Sequence, residues 1–148
     1  MIMDKNKRIL QFIYNVDFIN AKKLFDELSE AEKSDLIIME SCTSNSLIVI
    51  GFIYFLLSKE NTCFNHELAS QALIQMSWIE GAYNLAYWHA TEMLKLEPTL
   101  KNKEFMLLFY NIPEKILSEE YARKLAKDIL QQDINNKLAL SIILDSPK

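Results

Sequence analysis

The chain has 148 residues, half of them hydrophobic and 24% charged, with a formal net charge of −4. This balance fits a globular domain with a real core and argues against disorder, while the net acidity argues against nucleic acid as a partner. Only two Gly and three Pro are present, which leaves little for tight β-hairpins. Together with long periodic apolar runs, this predicts a single all-α domain over residues 1–148.

About nine helices are predicted. The first covers about Asp4–Tyr14, with Ile9, Leu10, Phe12 and Ile13 inward and the basic start Lys5, Lys7, Arg8 solvated. Asn15-Val16-Asp17 breaks it, and Asp17 is placed to cap a second helix that runs to about Leu28. Ser29-Glu30-Ala31-Glu32 has capping-box spacing and opens a third helix reaching about Cys42. Leu47–Leu57 is an apolar run of eleven residues. A membrane span needs about 20, so the run reads as a fourth helix buried on all sides, ending near Ser58. Asn61–Asn65 reads as a loop and His66–Met76 as the fifth helix. Ser77-Trp78-Ile79-Glu80 repeats the capping-box spacing and predicts a long sixth helix to Leu96, ended by Pro98. The seventh covers about Leu100–Tyr110. Asn111–Glu114 is a break. Ser118 followed by Glu119 and Glu120 starts the eighth helix, and Lys137–Leu144 is the ninth. Short loops make sequential helices antiparallel neighbours.

An internal echo supports stacking. Ala86-x3-Ala90-x2-Met93-Leu94 returns 36 residues on as Ala122-x3-Ala126-x2-Ile129-Leu130. A period in the mid-thirties is the length of a helix–turn–helix unit, which buries its apolar face only against neighbours. Small residues four apart let a second helix come close. The stretch from Ala86 to Pro98 resembles the second helix of a tetratricopeptide-type repeat. The first-helix positions fall on Ser70, Leu73, Ile74 and Ser77, of which only Leu73 fits, and the later unit has Ile134 where the family has proline. The expected architecture is therefore a stack of antiparallel helical hairpins, tetratricopeptide-like or α-solenoid-like.

Reaction chemistry is not legible. His66-Glu67 lacks the second His of a zinc-protease motif, and His89 with Glu92 at i, i+3 supplies only two ligands. Both histidines read as structural residues with a hydrogen-bonded partner. Gly51 and Gly81 form no phosphate loop. No enzyme activity, metal or cofactor is expected. Cys42 and Cys63 lack CxxC spacing and read as buried thiols. No secretory signal or spanning segment is read, which points to a cytoplasmic protein.

Two surface features suggest a protein partner. Asp26, Glu27, Glu30, Glu32, Asp35 and Glu40 face one base, Lys33, between residues 26 and 40. Such a stretch steers a basic protein. Tyr83, Tyr87 and Trp88 lie on one helix, where they either pack between hairpins or line a binding groove.

The chain also resembles the small, acidic, all-helical immunity proteins encoded beside secreted bacterial toxins. The likeness rests on Asp17–Phe25, Ile79–Tyr83 and Phe109–Glu114. It implies tight binding of a cognate protein toxin, often a basic nuclease, by a protein that is monomeric when free. The alternative is a tetratricopeptide-like adaptor or chaperone holding a peptide in its concave face.

Overall fold

Polar residues set just ahead of apolar runs fix most helix starts. The structure is a computed structural model that describes residues 2–145. Its described helices are α1 (Ile2–Tyr14), α2 (Phe18–Phe25), α3 (Glu30–Thr43), α4 (Ile48–Lys59), α5 (Cys63–Gln75), α6 (Ala82–Leu96), α7 (Leu100–Asn111), α8 (Glu119–Gln132) and α9 (Lys137–Leu144). Asp17, Ser29, Thr62, Thr99, Ser118 and Asn136 each accept a backbone N–H of the first turn they precede. Each cap of this kind contributes about 1 kcal/mol. At Ser29 the full capping box forms, with the Glu32 carboxylate accepting the Ser29 N–H in return.

The helices stack as antiparallel hairpins. His66 meets His89, and Ser70 donates to the Ala86 carbonyl at 2.8 Å, so α5 and α6 run in opposite directions. Alternate helices run together. α1, α3 and α5 meet through their C-terminal turns, at Tyr14 with Glu40 and Cys42 with Gln75. α5, α7 and α9 meet through their N-terminal turns, at Cys63 with Asn102 and Glu104 with Asn136. The chain is thus a two-layer helical stack with odd-numbered helices in one layer.

Two apolar clusters fill the stack. One gathers Ile9, Ile13, Phe25, Ile37, Phe52, Ile53 and Leu68 from α1 to α5. The other gathers Leu73, Ala86, Ala90, Met106, Phe109, Ala122, Ala126, Ile129 and Ile142 from α5 to α9. Helix α5 belongs to both: Ala72 lies in the first cluster and Leu73 in the second. The four alanines of the 36-residue echo are all buried.

Several boundaries differ from expectation. Thr62, not His66, sets the start of α5, because its hydroxyl captures the Asn65 N–H at 3.2 Å and turns the expected loop into helix. Ser77-x2-Glu80 forms no capping box. Its residues make turns through Ile79 N–H to Met76 C=O and Ala82 N–H to Ile79 C=O. α6 then starts after Gly81, whose φ of +82° only glycine adopts readily. α2 stops at Phe25, although Leu28 is still buried in the turn that follows. α4 is not enclosed on all sides: Val49, Phe52, Ile53 and Leu56 face inward, while Leu47, Gly51 and Tyr54 reach solvent. Its all-apolar sequence hid this one-sidedness. Among the described residues, no helix is long and apolar enough to cross a membrane.

Candidate functional site: an acidic helix face and a buried histidine relay

Folding divides the acidic stretch by what each carboxylate touches. Asp26 pairs with Lys22 at 2.7 Å and borders a shallow hollow lined by Ile19, Lys22, Lys23, Phe55 and Lys59, so it sits among lysines. Glu27 pairs with Lys5 at 2.8 Å. Glu32 is held in its capping box, where the Ser29 N–H and hydroxyl lower its pKa. Glu40 accepts the Tyr14 hydroxyl, a bond that raises the tyrosine pKa. Glu30 and Asp35 are exposed, and among the described residues neither has an ion pair or side-chain hydrogen bond.

The same helix face carries apolar groups that the sequence reading left out. Met39 on α3 is 67% exposed, one turn beyond Asp35, and Tyr14 is 45% exposed where it meets Glu40. Ala31, Asp35 and Met39 recur every four residues, so they share one face of α3. An apolar anchor thus lies among carboxylates, the anatomy of an interface centre with a charged rim. An exposed methionine spaced four residues from an acid was the available sequence signal.

The aromatic trio separates. Tyr87 is half-buried and stacks edge-on against Phe109 at 5.7 Å, so it belongs to the C-terminal cluster. Tyr83 is half-buried beside Ser77, Gly81 and Glu114. Trp88 is 48% exposed and lies edge-on to both His66 and His89. Among the described residues no hydrogen bond, ion pair or ring contact links these three to the acidic stretch.

The histidines form the most unusual polar feature of the interior. His66 of α5 and His89 of α6 are 3% and 0% exposed, and their Nδ1 atoms are 2.8 Å apart. His66 Nε2 reaches Asn61 Oδ1 at 2.7 Å, and His89 Nε2 reaches the Tyr54 hydroxyl at 2.9 Å. Burial lowers both histidine pKa values, that of His89 to about 4, with the neighbouring His66 contributing to the second shift. Glu92 acts the other way on both, but Lys95 holds its carboxylate at 2.6 Å. Each histidine therefore has the hydrogen-bonded partner expected of it. That each is the other's partner was not legible in the sequence, because residues 23 apart meet only once α5 and α6 pair.

The cysteines also separate. Cys63 is buried, receives an N–H from Asn102 at 3.3 Å, and has its pKa raised by burial. Cys42 is exposed, contrary to expectation, and its thiol donates to Gln75 Oε1 of α5 at 3.0 Å. Among the described residues, no group of three or more His, Cys, Asp or Glu side chains is placed to hold a metal ion. The chain matches no family model, no curated protein and no solved structure, so its functional reading rests on these residues themselves.

Proposed function

We propose that this chain is a cytoplasmic immunity protein that binds and neutralises a basic bacterial toxin domain, with no catalysis of its own. The observation that carries the reading is the outer face of α3, where the exposed Asp35, without an ion pair among the described residues, lies one turn before the exposed Met39, with Tyr14 and Glu40 beside it. Lys and Arg side chains of a toxin would be steered by the carboxylates, and Met39 would supply desolvated contact area. Co-expression with the toxin domain encoded beside this chain tests it. Cell survival and a co-purifying complex, both lost in Asp35→Lys/Met39→Asp, are expected; unchanged toxicity with no complex rejects the proposal.

A second reading, an adaptor that holds a protein segment, is favoured by a different observation. Tyr54, Trp88 and Tyr121 are exposed on α4, α6 and α8, successive helices of one layer. Aromatic rings displayed on repeated units supply contact area at low entropic cost. If Trp88→Ala abolishes partner binding while Asp35→Lys/Met39→Asp leaves it intact, the adaptor reading replaces the first.

A further inference from the structure

The relay between α5 and α6 has one self-consistent set of protons. Asn61 Oδ1 only accepts, so His66 Nε2 carries the hydrogen across their 2.7 Å contact. In a neutral ring His66 Nδ1 is then bare, and His89 Nδ1 donates to it at 2.8 Å. His89 Nε2 is bare in turn and accepts the Tyr54 hydroxyl at 2.9 Å. Donation runs one way, from Tyr54 through His89 and His66 to Asn61. Every ring nitrogen is satisfied and no charge is buried.

We propose that this relay is a pH-sensitive clasp between the two halves of the chain, closed while both imidazoles are neutral and opened by mild acid. The first proton is taken by His66: its Nδ1–H donates to His89 Nδ1, the His89 hydrogen moves to Nε2, and the Tyr54 hydroxyl turns from donor to acceptor, leaving a cation in a buried pair of rings. A second, on His89 Nδ1, sets two N–H groups against each other across 2.8 Å. Nothing around the rings offsets this well. Tyr54 of α4 is a neutral phenol whose pKa burial raises, and Asn61 is uncharged. Glu67 of α5 is committed to Lys101 of α7 at 2.9 Å. Glu92 of α6 alone favours the protonated rings, and it is paired with Lys95. The position matters as much as the chemistry. α5 is the helix shared by both apolar clusters, so loosening it from α6 uncouples the N-terminal half from the C-terminal half.

The direction in pH follows from linkage. Unfolded imidazoles take up protons from about pH 6.5 downward, whereas native His89 resists to about 4. The clasp is fully stabilising above pH 6.5 and is lost as pH falls from there toward 4. The His89 shift alone corresponds to a drop on the order of 10²-fold in the folding equilibrium constant across that window.

The test compares the whole chain with His66→Gln/His89→Gln, in which both positions hydrogen-bond without titrating, in thermal unfolding from pH 7.5 to 4.5. The native chain should lose at least tenfold more of its folding constant over this range; parallel curves would overturn the proposal. NMR of the native chain gives a readout that does not depend on the variant folding. A His89 titration midpoint well below 6.5 supports the clasp, and one near 6.5 rejects it. In a Trp78→Phe background, Trp88 emission should shift to the red in acid while far-ultraviolet circular dichroism stays helical. Emission that stays constant until global unfolding counts against opening at α5 and α6.

Discussion

Between α2 and α4 the interface is built from rings: Phe52 meets Phe18 at 5.7 Å and Phe25 edge-on at 5.3 Å. Between α5 and α6, and along α8, it is built from small side chains: Ala86, Ala90, Ala122 and Ala126 are buried, and Ser70 bonds the Ala86 carbonyl directly. Rings fill space by irregular interdigitation, and each pair of helices finds its own spacing. Alanines four apart let backbones approach at a fixed distance, and the same solution recurs in the next hairpin. That is why an internal echo is legible in the C-terminal half and faint in the N-terminal half.

Substitutions can break this contrast. Phe52→Ala removes the ring that two other rings pack against, and should cost about 3–5 kcal/mol, measured by urea unfolding. A cost below 1 kcal/mol would mean that the N-terminal half collapses around the gap and does not depend on its rings. Ala90→Leu makes the opposite change, forcing bulk between close helices, and should cost about 1–3 kcal/mol. A neutral result there would show that α6 is not tightly apposed.

Smaller effects sharpen the comparison. Thr62→Ala deletes the cap of α5, the helix common to both clusters, and should cost about 1 kcal/mol. Fluorescence from Trp78 and Trp88 and circular dichroism should report the same midpoint if the halves unfold together. Asp35→Lys, on the exposed face of α3, should change stability by less than about 0.5 kcal/mol in the same urea titration while weakening capture of a basic partner. A large loss of stability would assign Asp35 a structural role.

Helix starts were largely legible, because a cap is a local event: one side chain and an N–H three residues on. Ser29, Ser118 and Asp17 all act as their spacing suggests. The exception at Ser77 and Glu80 is also local, since Gly81 takes a left-handed conformation and moves the start of α6 to Ala82. The candidate site was less legible. All six carboxylates between residues 26 and 40 look alike in sequence, yet Lys5 and Lys22 pair with two of them, Ser29 holds a third and Tyr14 a fourth. Of the six, Glu30 and Asp35 stay unpaired among the described residues, and Met39 emerges as the apolar companion of Asp35.

The sequence by itself determined an all-helical chain of hairpins, since apolar period, capping residues and scarce glycine act over a few residues and need no distant partner. The tertiary structure alone decided which side of α4 is exposed, which carboxylates stay free, and that His66 and His89 share a proton chain with Tyr54 and Asn61. These outcomes depend on contacts between residues tens of positions apart, whose geometry exists only once the helices have stacked.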